Sequence, residues 1–146
     1  MTGLLLVLFA LVAGLFLPVQ AGVNTRLAHF VGGPVRASMV SFAIGAIVLF
    51  AVVLLFYRSG AVHSRSAPWW AWTGGLLGAF YVTATVVVPV RIGAAPFFGI
   101  LVAAQLLMGL AIDRFGLIGF PERALSPGRI AGAVLLVAGA LMVRLL

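Results

Sequence analysis

An all-helical membrane bundle is the fold class this sequence predicts, and three observations predict it. Of its 146 residues 64% are hydrophobic and only 8% charged, with a mean hydropathy of +1.30, whereas a soluble domain carries about 25% charged residues. Apolar runs of roughly 20 residues, the length that crosses about 30 Å of hydrocarbon as helix, occur along the chain five times. None of them shows the short alternation of a membrane barrel strand. The predicted spans are 3–24, 34–57, 69–90, 93–113 and 127–145, and they form a single integral membrane domain.

The first span begins apolar and ends in FLPVQAGVNTRL. Val19-Gln20-Ala21 has the small-residue pattern of a signal cleavage site, yet no basic residue precedes the apolar run, which predicts a retained span. Pro18 lacks an amide donor and crowds the carbonyl a turn earlier, so a bend is expected, with carbonyls near Gly14 seeking partners. Such a defect persists at membrane depth only when buried in protein or facing a wet cavity. Gln20 and Asn24 lie one turn apart on a common face, and an amide turned to lipid has no hydrogen-bond partner. That face is expected to look inward.

In the second span Ser38, Ser41 and Gly45 share a face, and Tyr57 closes it. The third opens on Trp69, Trp70 and Trp72, aromatics that favour the head-group level, and places Gly74, Gly78, Tyr81 and Thr85 on one stripe. Gly74 and Gly78, like Gly128 and Gly132 in the fifth span, form the GxxxG spacing that lets helices approach closely. Gln105 is the buried amide expected in the fourth span, which Phe115 and Phe120 flank. Arg91, between Pro89 and Pro96, is either an interfacial turn residue snorkelling to head groups or an anion-attracting mouth.

The connections 58–68 and 114–126 hold five of the eleven charged residues. Five spans put Arg58, Arg65, Arg114, Arg123 and Arg129 on one side and Arg26, Arg36, Arg91 and Arg144 on the other. Short-loop arginine excess sets orientation, so this near balance leaves single and dual topology both open. Function classes fall away with the missing residues. Without cysteine there is no disulfide and no thiolate metal site. Asp113 and Glu122, beside Arg114 and Arg123, read as surface pairs, and His29 and His63 as separate loop residues without metal-ligand spacing. No phosphate-cradling or nucleophile motif is present. The net charge of +7 is too dispersed for a nucleic-acid surface. Neither an enzyme, nor a cofactor, nor a metal site is expected.

LPVQAGVNTRL, GGPVRASMVSFAIG, PWWAWTGGLLGAFYVTATVVVPVRIGAAPFF, VAAQLLMGLAIDRFGLIG and LSPGRIAGAVLLVAGALMV together resemble the five-helix bacterial branch of the drug/metabolite transporter superfamily, the YdcZ-like inner-membrane proteins. The resemblance implies a multi-pass protein of the bacterial inner membrane, in which two five-helix halves, fused or separate, pair antiparallel around a central cavity. Inverted halves commonly build a midplane substrate site, and the near-even arginine count agrees with that arrangement. The four-helix multidrug exporters of the superfamily carry a proton-exchanging glutamate in the first helix; the corresponding region here offers Gln20. An amide does not titrate. A neutral or zwitterionic solute, or coupling located in a partner, is therefore expected, the solute bound by Gln20, Asn24, Ser41, Tyr81 and Gln105, with Pro18 providing the bend and the partner being a second copy or a homologous half. The competing expectation is a noncatalytic assembly subunit whose amides only hold helices together.

Overall fold

The computed structural model describes residues 2–57 and 67–146. Six α-helices are present among them: α1 (Thr2–Val31), α2 (Pro34–Phe56), α3 (Gly74–Val87), α4 (Pro89–Ile92), α5 (Ala94–Phe115) and α6 (Pro127–Leu145). Trp69–Thr73 form a 3-10 turn leading into α3. Among the described residues five helical stretches are long and apolar enough to cross a membrane: Gly3–Val31, Pro34–Phe56, Trp69–Ile92, Ala94–Phe115 and Pro127–Leu145. The all-helical class and the five spans stand as expected. His63, Arg58 and Arg65 lie outside the described residues.

Two compact units divide the chain, one ending at Val87 and the other beginning at Val88. In the first, α1 packs on α2 and α3, and α2 on α3. Helix α1 runs past the expected boundary at 24 to Val31 because nothing between Thr25 and Phe30 breaks a helix. Its 30 residues measure about 45 Å, more than the hydrocarbon thickness, so its last turns reach the head-group zone. There the Arg26 guanidinium lies 5.4 Å from the Phe30 ring. His29, expected in a loop, is instead an exposed residue of this helix. The chain reverses at Gly32 and Gly33, with φ of 81° and 131°; Gly33 N–H donates to the Ala28 carbonyl at 2.9 Å, the capping bond of a left-handed helix end. Pro34 then starts α2, where a missing amide hydrogen costs nothing.

Small side chains make the close contacts. Ala21, Ala37 and Ser38 are buried in the first unit, and Ala103, Ala133 and Ala140 in the second. Lipid is as apolar as leucine, so helices gain by backbone approach more than by burying large chains. Most large apolar residues accordingly stay on the surface, Leu15, Phe16, Phe30 and Leu55 among them, while Phe97, Val82 and Val86 are buried.

In the second unit Gly93, with φ of 91°, separates the short α4 from α5, and the exposed Arg91 sits on that turn. Gly116 ends α5 in the left-handed region, φ 59°. Helices α5 and α6 form an antiparallel hairpin: Gly99, early in α5, faces the Ala140 backbone late in α6, while Asp113, late in α5, meets Arg129 at the start of α6. The Ser126 hydroxyl caps α6 by accepting from Arg129 N–H at 3.3 Å. Ser126→Ala should therefore lower stability by about 1 kcal/mol, read as a small drop in the thermal midpoint of detergent-purified protein.

Candidate functional site

A cleft of about 270 Å³ opens in the first unit between three helices. Gln20 of α1, Ser41, Phe42, Gly45, Ala46 and Leu49 of α2, and Val82 of α3 line it. Ser41, Gly45 and Leu49 follow one another at four-residue spacing, so a single face of α2 supplies most of the wall. Ring space for Phe42 comes from α3: a Cβ added at Gly78 would stand 3.1 Å from Phe42 Cζ. No charged side chain lines the cleft.

The polar groups of this unit divide sharply by hydrogen bonding. Ser38 Oγ donates to the Pro34 carbonyl at 3.0 Å and Thr85 Oγ1 to the Val82 carbonyl at 2.8 Å, so both hydroxyls are satisfied within their own helix. Asn24 Nδ2 and Tyr81 Oη are buried without a hydrogen-bond partner. Asn24 is only 3% exposed, a depth at which an unpaired donor costs about 1–3 kcal/mol. It follows Gln20 by one turn of α1. Tyr81 is half-buried on α3, next to Val82 of the cleft wall.

Of the residues expected to bind a solute, Gln20 and Ser41 share the cleft, and Asn24 and Tyr81 belong to the same unit; Asn24 is buried as expected of an inward face, whereas Gln20, a turn earlier, is exposed, which corrects that expectation for Gln20. Gln105 lies in the other unit, on α5, and is exposed, which corrects the expectation of a buried amide. Ala103 takes the buried face of α5, and two residues on the side chain has rotated about 200°. Pro18 is exposed within α1, which passes through it as one helix. Among the four packing glycines, Gly78 meets Phe42, Gly128 meets only Ser126 Oγ of its own turn at 4.0 Å, and Gly74 and Gly132 have open space where a Cβ would stand.

Phe42 and Val82 were not singled out in the sequence, because apolar residues carry no signal inside an apolar helix. Asp113 pairs with a residue distant in sequence. Its partner is Arg129, at 3.1 Å, and not the adjacent Arg114, which projects about 100° away around α5. Glu122 packs beneath Gly116, where a Cβ would come within 2.8 Å of its Cγ.

Comparison with known proteins agrees with this architecture. Residues 5–142 match the family model described as "Putative inner membrane exporter, YdcZ". The chain is 38% identical over 138 residues to "Inner membrane protein YdcZ" of Escherichia coli (strain K12), covering 92% of this chain and 91% of that one. No solved structure matches it significantly. A polytopic helical chain matched over almost its whole length by one family of inner-membrane proteins belongs to that family, YdcZ.

Proposed function

We propose that the chain is one half of an alternating-access exporter, and that its solute is a small neutral or zwitterionic molecule rich in hydrogen-bond acceptors. The observation that carries this reading is the pair of buried, unpartnered groups, Asn24 Nδ2 and Tyr81 Oη, in the unit that also holds the Gln20 and Ser41 cleft. A structural amide would have a partner in the resting fold, because an orphaned buried donor is a standing penalty. A transient guest with carbonyl or hydroxyl oxygens removes that penalty when it binds. The absence of charge on the cleft wall disfavours ions.

The cleft volume of about 270 Å³ falls just below the roughly 300–1,000 Å³ of complete small-molecule sites. Half a site is what a chain offers when a second copy, inserted in the opposite sense, supplies the rest. In this reading the exposed Gln105 and the open face at Gly74 are available to the partner, and rocking of the two halves exposes the solute alternately to each side. Binding and translocation require no covalent chemistry, so the role is non-enzymatic.

Purified protein screened against a metabolite collection should show a raised thermal midpoint with its solute, since ligand binding stabilises the native state. Gln20→Leu should remove both that shift and vesicle transport while expression and pairing remain normal. Unchanged transport would take Gln20 out of the site. If no solute stabilises the protein, the assembly-subunit reading replaces this one.

A further inference from the structure

A second cleft, one that carries charged side chains, lies in the second unit. It measures about 560 Å³ and runs between α5 and α6, with Asp113 and Arg129 at one end and Gly109, Gly132, Leu106 and Leu136 further along. From the charged pair to Leu106 and Leu136 is seven residues on each helix, about 10 Å along the membrane normal. Gly109 and Gly132 have open space where a Cβ would stand, so at this level the glycines widen the seam. The polar end lies within three residues of each helix terminus, at the level of the lipid head groups. A water-soluble solute has no use for an apolar groove continuing from there towards the bilayer centre. A phospholipid does.

The polar end selects among head groups. Asp113 Oδ2 stands 3.1 Å from Arg129 Nη1, yet that nitrogen is buried and makes no aligned hydrogen bond. The contact is electrostatic, and the guanidinium keeps donors to spare. Both charges also sit at the helix end whose dipole opposes them: Arg129 is the third residue of α6, at its positive end, and Asp113 is near the negative end of α5. A ligand carrying a phosphate and a primary ammonium, which unlike a quaternary one has N–H donors for a carboxylate, reverses the mismatch. Its phosphate would meet Arg129 together with the amino terminus of α6, and its ammonium would meet Asp113 together with the carboxy terminus of α5.

We propose that the α5–α6 cleft is a binding site for an ethanolamine phospholipid, its phosphate on Arg129, its ammonium on Asp113 and one acyl chain in the groove past Gly109 and Gly132. This site does not depend on the solute site of the first unit. Full-length protein in detergent would be titrated with phosphatidylethanolamine, phosphatidylglycerol and phosphatidylcholine of equal chain length, and with free phosphoethanolamine, reading bound lipid by native mass spectrometry and the thermal midpoint. Phosphatidylethanolamine should be retained at least tenfold better than the other three. Arg129→Gln should abolish that retention, and Asp113→Asn should switch the preference to phosphatidylglycerol. Gly132→Leu, which fills the groove and leaves the ion pair in place, should lose the lipid as well; it decides the matter if the charge variants do not fold. Equal retention of all three lipids, a full effect from free phosphoethanolamine, or retention by Gly132→Leu would each overturn the assignment.

Discussion

Asn24→Leu should abolish transport while leaving the thermal midpoint of the purified protein unchanged or higher. Asn24 is 3% exposed, and its Nδ2 has no hydrogen-bond partner. Leucine has the same branching and number of side-chain heavy atoms and no polar atom. The substitution removes a desolvated donor that costs about 1–3 kcal/mol, and in lipid nothing is lost in exchange unless the amide serves a guest. A helix-bonding amide predicts the reverse pattern, with a lower midpoint and retained transport, because interhelical side-chain bonds in membranes contribute about 0.6–2 kcal/mol. The sign of the stability change thus separates binder from glue in one variant. Tyr81→Phe applies the same logic to the second orphan group, since only the hydroxyl is removed.

The spans were readable from length and hydropathy because the bilayer imposes one scale on every helix. Helix ends were less so: α1 continues to Val31 because Arg26 and His29 mark where lipid ends, not where hydrogen bonding ends, and only the glycines at 32 and 33 stop it. Gln20, Asn24, Ser41 and Tyr81 stand out in the sequence because a polar atom is conspicuous among apolar neighbours. Which of them is satisfied does not stand out. Ser38 and Asn24 look equally polar in the sequence, but a hydroxyl on a short stem reaches the carbonyl a turn back, and Asn24 Nδ2 finds no such partner. The Asp113–Arg129 pair was hidden by the intervening loop, and by an arginine at 114 that is nearer in sequence and on another face of the helix.

Gly78→Val should cut transport by an order of magnitude or more through a residue that does not itself line the cleft. The Cβ of any larger residue at 78 would press on Phe42 Cζ, already only 3.1 Å away. Phe42 in turn forms part of the wall shared with Gln20 and Ser41. Two responses are open to the ring: it swings into the cleft and occupies the solute volume, or it stays and α2 is pushed off α3. Overpacking of this kind costs about 1–3 kcal/mol. Phe42→Leu on the same chain shortens the side chain and should return both stability and transport towards wild type, making the pair strongly non-additive. Additive losses in the double variant, with transport no better than in Gly78→Val alone, would place the defect elsewhere on α3. Rescue would tie the shape of the cleft to the glycine that gives Phe42 its room.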